Sequence, residues 1–221
     1  MNKDQKIRIA VFGSFYRGYY LLAELLHGPH RDRFSIVGVA TDDVAQGFIS
    51  REKRVWQYPH RSEEETMVEL KAARHGLSVY KARVKTEAFY EIYEREWQPQ
   101  LCVSATFGQR IDARLFNYPK FGFFNIHPCI DDGWPSKYAG PNPFQGLIDD
   151  GHDHSKAVLH RVDEGLDTGE PVAMSSRIDM PPGTTVIDMH KLTSPVIAKF
   201  AVPELLKLVE NAHVTGLKET A

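Results

Sequence analysis

Three short apolar stretches decide the fold: IRIAVF at residues 7–12, FSIVGVAT at residues 34–41 and LCVSAT at residues 101–106. Each is rich in β-branched residues and too short for a typical helix, and helical patterns stand between them. Continuous apolar strands that alternate with helices are typical of a parallel sheet covered on both faces. The sequence therefore predicts an α/β fold with a mostly parallel sheet and helices on both faces.

Local signals predict where the remaining elements begin and end. Ser62 and Glu65 match the spacing of a capping box, which predicts that a helix opens there. A long helical pattern covers residues 184–211, and Pro195 and Pro203 predict a break or a kink in it. Further strands are predicted at residues 77–80, 123–127 and 157–162, an extended segment at residues 172–180, and a further helix at residues 86–97.

Composition excludes several classes of protein. The 27 Lys and Arg residues nearly balance the 29 Asp and Glu residues, so nothing drives the chain electrostatically toward nucleic acid. No apolar run approaches the ~20 residues of a membrane span, and the first residues lack a secretory apolar region. Two cysteines are too few for a disulfide framework. We expect one cytoplasmic domain over residues 1–221, with no separate C-terminal domain and no membrane or nucleic-acid partner.

The turn after the first strand, Gly13-Ser-Phe-Tyr-Arg-Gly18, superficially resembles a nucleotide-binding loop. In the dinucleotide fingerprint a glycine at the middle position lets the backbone approach a pyrophosphate. Phe15 stands at that position, and its side chain would fill the space. We therefore interpret the turn as structural and expect no NAD-linked oxidoreductase.

Two polar clusters follow predicted strands in the centre of the chain. Asn125 and His127 alternate along one strand, so both side chains lie on the same face. The second cluster, at residues 160–169, carries three carboxylates beside two glycines. Ligands of open α/β sheets bind where strands end, so together these clusters are candidates for an active site.

The chain resembles the folate-dependent formyltransferase family in four segments: ATFGQRI at residues 105–111, GFFNIHP at 122–128, YAGPNPFQ at 138–145 and HRVDEGLDTG at 160–169. That family includes glycinamide ribonucleotide, methionyl-tRNA and sugar N-formyltransferases. The resemblance implies the Rossmann-like formyltransferase fold and a catalytic triad of Asn125, His127 and Asp167. It also implies a folate site formed by Phe107, Gly108, Gln109, Arg110 and Ile111 together with Asp163, Glu164, Gly165 and Leu166.

The implied reaction is transfer of the formyl group of N10-formyltetrahydrofolate, the co-substrate, to an amine nitrogen through a tetrahedral intermediate. Asn125 and a protonated His127 are suitable donors toward the developing oxyanion, and Asp167 is a suitable proton acceptor. The chemistry needs no metal. We interpret the His152 and His154 pair as part of a solvated loop rather than a metal site.

The sequence departs from the family after Pro128. The loop there is four residues longer, Cys129 replaces the usual serine, and Ala139 replaces the usual basic residue. Trp134 and Tyr138 in this loop stack on an acceptor or fill the core. A thiol nucleophile at Cys129 is disfavoured, since no catalytic base is assigned to it.

The acceptor is narrowed but not identified. The first turn lacks the glycine-rich phosphate site of the glycinamide ribonucleotide enzymes, and transfer RNA enzymes carry a further domain. We expect a small-molecule amine, either an amino sugar nucleotide or an amino acid derivative such as a hydroxylated ornithine. Two alternatives stay open: a formyltetrahydrofolate hydrolase and a non-catalytic folate-binding module. The sequence does not predict the oligomeric state.

Overall fold

The computed structural model describes residues 6–130 and 133–214. Two residues of the long loop, Asp131 and Asp132, therefore lie outside the described residues. The strands are β1 Ile7–Gly13, β2 Phe34–Ala40, β3 Val79–Tyr80, β4 Leu101–Ala105, β5 Phe123–Cys129, β6 His154–Arg161, β7 Pro171–Met174 and β8 Ile178–Asp179. The helices are α1 Phe15–His27, α2 Ser62–Arg74, α3 Glu87–Glu91, α4 Ala113–Asn117, α5 Pro143–Asp149 and α6 Val186–Val214, and a π-helical segment Ile92–Trp97 continues α3.

The strands form one sheet in the order β3-β2-β1-β4-β5-β6-β7, and β8 pairs with β6. The pairs among the first five strands are all parallel. Strand β6 runs antiparallel to β5 and to β7. The predicted mostly parallel α/β sheet is confirmed, and the antiparallel pairing of β5 with β6 places the start of the second polar cluster beside the first.

Alternate residues of β1 pack on opposite faces of the sheet, as a strand covered on both sides requires. Ile9 and Val11 lie in the core that α1 and α6 cover, together with Leu21. Ala10 and Phe12 face the other layer, which is built largely of aromatic residues from α3 and the π-helical segment. The ring of Phe12 contacts five other aromatic rings, those of Phe89, Tyr93, Trp97, Phe107 and Phe123. This central strand ends at the turn that leads into α1.

The turn between β1 and α1 is structural, as predicted. A side chain on Gly18 would bring its Cβ within 2.5 Å of the carbonyl carbon of Gly13, so the helix packs directly on the strand end. Phe15 is 1% exposed and contacts Trp56 and His190. Its backbone φ of 57° is rare for a bulky residue, and the packing of its ring holds it there. The middle position of the turn thus carries a buried aromatic ring, where the dinucleotide fingerprint has a glycine.

Of the break or kink predicted in the last helix, the break is wrong, and the kink stays a prediction. Helix α6 extends over 29 residues and contains both Pro195 and Pro203. Each internal proline costs roughly 3 kcal/mol. The helix nevertheless continues because it buries a row of apolar residues on the sheet, comprising Ile197, Ala201, Val202, Leu205, Leu206 and Val209. Within the described ranges, no helix combines the length and apolar character needed to span a membrane.

The predicted capping box is displaced by one residue. Helix α2 begins at Ser62, but Arg61 is its N-cap, and the Arg61 N–H donates to Glu64 Oε2 at 3.0 Å. Glu65 instead contacts Arg51 and His60. Arg61 and Glu64 therefore form the local cap, and the side chain of Glu65 contacts other parts of the chain.

Candidate active site

The candidate site is a cavity of about 570 Å³ at the carboxyl ends of the central strands. Both predicted clusters line it, as does the segment that follows β4. A volume of this size is within the usual range for small-molecule pockets. Its position agrees with the rule that open α/β sheets bind ligands where their parallel strands end.

Asp167 joins the two clusters. Its Oδ1 atom accepts a hydrogen bond from Asn125 Nδ2 at 3.0 Å, and its Oδ2 atom lies 3.3 Å from His127 Nδ1. Oδ2 also accepts a hydrogen bond from the N–H of Gly140 at 3.0 Å. The backbone of Asp167 has a φ of 54°, a left-handed conformation uncommon outside glycine. The structure thus brings the three predicted catalytic residues together around the Asp167 carboxylate.

The carboxyl group of Asp167 is ionised at neutral pH. Burial alone would raise its pKa, but the neighbouring His160, the charge of His127 and the N–H of Gly140 outweigh that effect. The pKa of Asp167 is therefore lower than the ordinary value for an aspartate. The site holds a buried anion that accepts hydrogen bonds from the Asn125 amide and from the N–H of Gly140.

Both ring nitrogens of His127 face acceptors. Nε2 lies 3.0 Å from the carbonyl oxygen of Tyr138, which can only accept, so Nε2 carries a proton. Nδ1 faces the Asp167 carboxylate. Burial lowers the pKa of His127, and the Asp167 carboxylate and the Tyr138 carbonyl oppose this shift. His127 is thus positioned to gain or lose a proton on the nitrogen beside Asp167.

This arrangement predicts how the pKa of His127 responds to the loss of its partner. The Asp167 carboxylate stabilises the charged imidazole, so the substitution Asp167→Asn should lower the pKa of His127 further. An NMR titration of the histidine Cε1 protons measures this shift, and the His127 signal is assigned by its loss in His127→Gln. Asp32→Asn, at an exposed aspartate, is the control. An unchanged or raised pKa of His127 in Asp167→Asn would contradict the electrostatic coupling.

His160 belongs to the site although the sequence analysis assigned it no role. It pairs directly with Asn125 across the antiparallel strands β5 and β6. Its Nδ1 atom lies 2.7 Å from the carbonyl oxygen of Arg161 and therefore carries the proton. Its Nε2 atom lies 3.2 Å from Asn125 Nδ2 and 3.6 Å from Asp167 Oδ1. The position of His160 at the start of the second polar cluster was the only sign of its role in the sequence. Its pairing with Asn125 depends on the register between β5 and β6.

The amide group of Asn125 is held by two partners. Asp167 Oδ1 can only accept, so the atom facing it is the amide nitrogen. The second amide hydrogen points toward His160 Nε2. Both hydrogens that would serve a substrate oxygen are therefore engaged, and a substrate must displace one of these contacts.

The predicted folate-site residues fall on two walls of the same cavity, with one exception. The lining residues are Phe107, Gly108, Gln109, Arg110, Ile111, Asp163, Gly165 and Leu166. Glu164 does not line the cavity, and its carbonyl oxygen accepts a hydrogen bond from Arg110. Its contact with folate stays a prediction. The side chain of Gln109 bonds to the backbone of Ala82 and Val84, so it anchors its wall.

Trp134, in the long loop after β5, packs against His160 of the site. Trp134 donates to the carbonyl oxygen of Gly169 at 2.8 Å, and its ring lies 4.8 Å from that of His160. Tyr138 is buried among apolar residues, so it fills the core. Cys129 is fully buried and does not line the cavity, which argues against a thiol nucleophile.

No metal site is evident in the part of the chain that the structure describes. His152 and His154 bond to separate partners, Tyr138 and Asp153.

Several known proteins are similar to this chain in sequence. A methionyl-tRNA formyltransferase from Lachnospira eligens is 30% identical over 149 residues, which cover 67% of this chain and 45% of that protein. The methionyl-tRNA formyltransferase of Thermotoga maritima is 24% identical over 187 residues, or 84% of this chain and 55% of that protein. The chain thus spans about half the length of the curated relatives it matches.

Solved structures share the fold. Phosphoribosylglycinamide formyltransferase from Streptococcus pneumoniae superposes with a TM-score of 0.64 at 20% identity, covering 93% of this chain and 99% of that one. A formyltetrahydrofolate deformylase from Pseudomonas syringae gives the same TM-score and identity, and the match covers 93% of this chain and 62% of the deformylase chain. The formyl transferase family model matches residues 8–196. Because that match covers most of the sequence, the chain belongs to the formyl transferase family.

Proposed function

We propose that the protein transfers the formyl group of N10-formyltetrahydrofolate to an amine nitrogen of a small molecule. The observation that carries this proposal is the Asp167 carboxylate, which contacts both Asn125 and His127 at the edge of the cavity. Acyl transfer to an amine requires a hydrogen-bond donor for the acyl oxygen and a group that accepts the amine proton. These three side chains supply both.

The cavity has features that suit a pterin-type donor. Asp42 Oδ1 and Thr106 Oγ1 are buried without hydrogen-bond partners, and both residues line the cavity. Burial raises the pKa of Asp42 to about 6, with Ser14, Arg54 and Gly108 acting in the opposite direction. Leu166 lines the cavity with 56% of its surface exposed. A planar heterocycle with amino and amide groups would satisfy such oxygens and cover the leucine, and the bound folate would supply the formyl group.

We propose the following roles for the triad. His127, kept in position by Tyr138, takes the proton that the attacking amine loses, and Asp167 stabilises the resulting imidazolium. The imidazolium then gives this proton to N10 of the folate, as the bond between N10 and the formyl carbon breaks and tetrahydrofolate leaves. Asn125 turns one amide hydrogen from His160 toward the formyl oxygen, where negative charge develops. Hydrogen bonds in catalytic sites commonly tighten only when substrate is bound, so the contacts seen here are the resting arrangement.

The first turn bears on whether the acceptor carries a phosphate that binds there. The close packing of Gly18 on Gly13 and the buried ring of Phe15 leave no phosphate cradle there. This argues against a ribonucleotide acceptor held by that turn.

We propose that residues 6–214 form one catalytic unit, because their strands share a single sheet.

The experiment that tests the function separates transfer from hydrolysis. We expect slow tetrahydrofolate release from N10-formyltetrahydrofolate alone and a large increase with the correct amine, because water must be kept from the site until the acceptor binds. Mass spectrometry of a panel of amino acids, amino sugars, nucleotide-linked amino sugars and methionyl-tRNA identifies the formylated product. His127→Gln is the inactive control.

The alternatives give different results in the same experiment. Formate release at the full rate without amine would identify a hydrolase. Formylation of methionyl-tRNA alone would contradict a small acceptor. Folate binding without turnover, whatever the amine, would indicate a non-catalytic binding module.

A further inference from the structure

A buried arginine in the cavity has no partner. Arg17 is 4% exposed and lines the cavity. Its Nε and Nη2 atoms are buried and make no hydrogen bond, and no carboxylate within the described ranges forms an ion pair with it. Its closest characterised neighbour is the ring of Phe144, whose centroid lies 5.3 Å from the Arg17 Cζ atom. Proteins rarely bury a charge without a counter-charge, because desolvation is costly.

A second unpartnered group lies beside it. His190 also lines the cavity, and its Nδ1 atom is buried without a hydrogen-bond partner. The His190 ring packs edge-on against Phe15 and Phe144, at centroid distances of 5.4 and 5.0 Å. Burial and the charge of Arg17 keep the pKa of His190 well below its ordinary value, so it is neutral. This end of the cavity therefore holds one positive charge and one neutral ring.

Arg17 is also close enough to the triad to affect it. Its positive charge contributes to the lowered pKa of His127. Arg17 and His127 line the same cavity, so one ligand can reach both groups. The described walls assigned to folate, residues 107–111 and 163–166, do not include Arg17. The unpaired guanidinium is thus available to the other reactant.

We propose that the acceptor amine carries a carboxylate group, which pairs with Arg17 and places the amine at the triad. The inference rests on the proposed function and narrows its acceptor to an amino acid type of molecule. A guanidinium binds a carboxylate through two parallel N–H···O bonds, and Arg17 has unpaired nitrogens for both. One positive charge matches one carboxylate, whereas a phosphate ester carries nearly two negative charges. His190 offers a ring nitrogen as a further polar contact.

A binding experiment tests Arg17 without relying on catalysis. Acetate and inorganic phosphate are the probes, and thermal unfolding midpoints are measured in chloride buffer with and without each anion. We expect acetate to stabilise the wild type and the control Arg74→Met, at an exposed arginine, but not Arg17→Met. Without added anion, Arg17→Met should unfold at a higher temperature than the wild type, since it removes an unpaired buried charge.

A turnover experiment with matched amines tests the acceptor class. The pairs are ornithine with 1,4-diaminobutane, lysine with 1,5-diaminopentane, and glucosamine 6-phosphate with glucosamine. We expect an accepted diamine pair to favour its carboxylate-bearing member, ornithine or lysine, by about a hundredfold in kcat/KM. Glucosamine 6-phosphate, which carries a phosphate and no carboxylate, should have no comparable advantage over glucosamine. Arg17→Met should abolish that preference, and Arg17→Lys should retain part of it, because lysine keeps the charge but not the planar fork.

Several outcomes would overturn the proposal. One is the absence of acetate stabilisation in the wild type, or its persistence in Arg17→Met. Stabilisation by phosphate alone would contradict the carboxylate assignment, as would equal use of the two members of an accepted diamine pair or a strong preference for glucosamine 6-phosphate over glucosamine. Failure to formylate any amine would count against the proposed function, while the acetate result would still decide whether Arg17 binds a carboxylate. If Arg17→Met does not fold, Arg17→Gln, which also removes the charge, provides the same comparison.

Discussion

Replacing His127 or Asp167 by alanine should each lower kcat/KM for formyl transfer by about 10² to 10⁴-fold. The two side chains share one proton site, since His127 Nδ1 lies 3.3 Å from Asp167 Oδ2. Losing either one removes the function of the other. The double variant should therefore be close to the worse single variant, far from the product of the two losses.

The measurement is steady-state kinetics of the formylated product, with circular dichroism to confirm the fold of each variant. Both side chains are buried, so each variant is assayed well below its unfolding midpoint. His27→Ala, at an exposed histidine in the last turn of α1, is the matched control and should retain full activity. Independent losses that multiply in the double variant would contradict the cooperative role.

Gly18→Ala should destabilise the protein by about 2 to 3 kcal/mol, although alanine is normally the better helix former. The added Cβ would lie 2.5 Å from the carbonyl carbon of Gly13 and 3.0 Å from its Cα atom. Both neighbours are backbone atoms of a central strand, so relief requires α1 to move away from the sheet. Arg17 and Phe15 would move with the helix.

Urea denaturation of Gly18→Ala and of Gly47→Ala tests this prediction. A side chain on Gly47 would meet nothing within 4 Å, so its replacement should change the free energy of unfolding by less than about 0.5 kcal/mol. Equal stability of the two variants would show that the turn has room for a side chain. In that case the structural explanation of the glycine would be wrong.

The sequence was sufficient for the fold class, whereas the roles of the triad residues stay predictions. Buried strands carry their signal locally, because a stretch such as 101–106 must be largely apolar when helices cover both faces. Alternation along β5 was enough to place Asn125 and His127 together. Asp167 was reached only through the resemblance to a known family, since an acidic turn by itself has no preferred partner.

Other features depended on contacts between distant segments. The role of His160 follows from the antiparallel register that sets it opposite Asn125. The continuity of α6 through Pro195 follows from the apolar face that the helix buries, an energy that a local proline signal does not contain. The side chain of Glu65, which was predicted to cap α2, instead contacts Arg51 and His60.

The unpaired charge of Arg17 was the feature least predictable from the sequence. In the sequence it is one polar residue in the first turn of a helix, where arginine usually reaches solvent. Its unusual character arises only when α5 and α6 bring Phe144 and His190 against it and leave its nitrogens without partners. The sequence alone therefore determined which residues form strands and which pair along one strand, because these patterns are local. Only the tertiary structure decided which polar groups are buried, and which of them lack a partner, because burial depends on elements that are far apart in the chain.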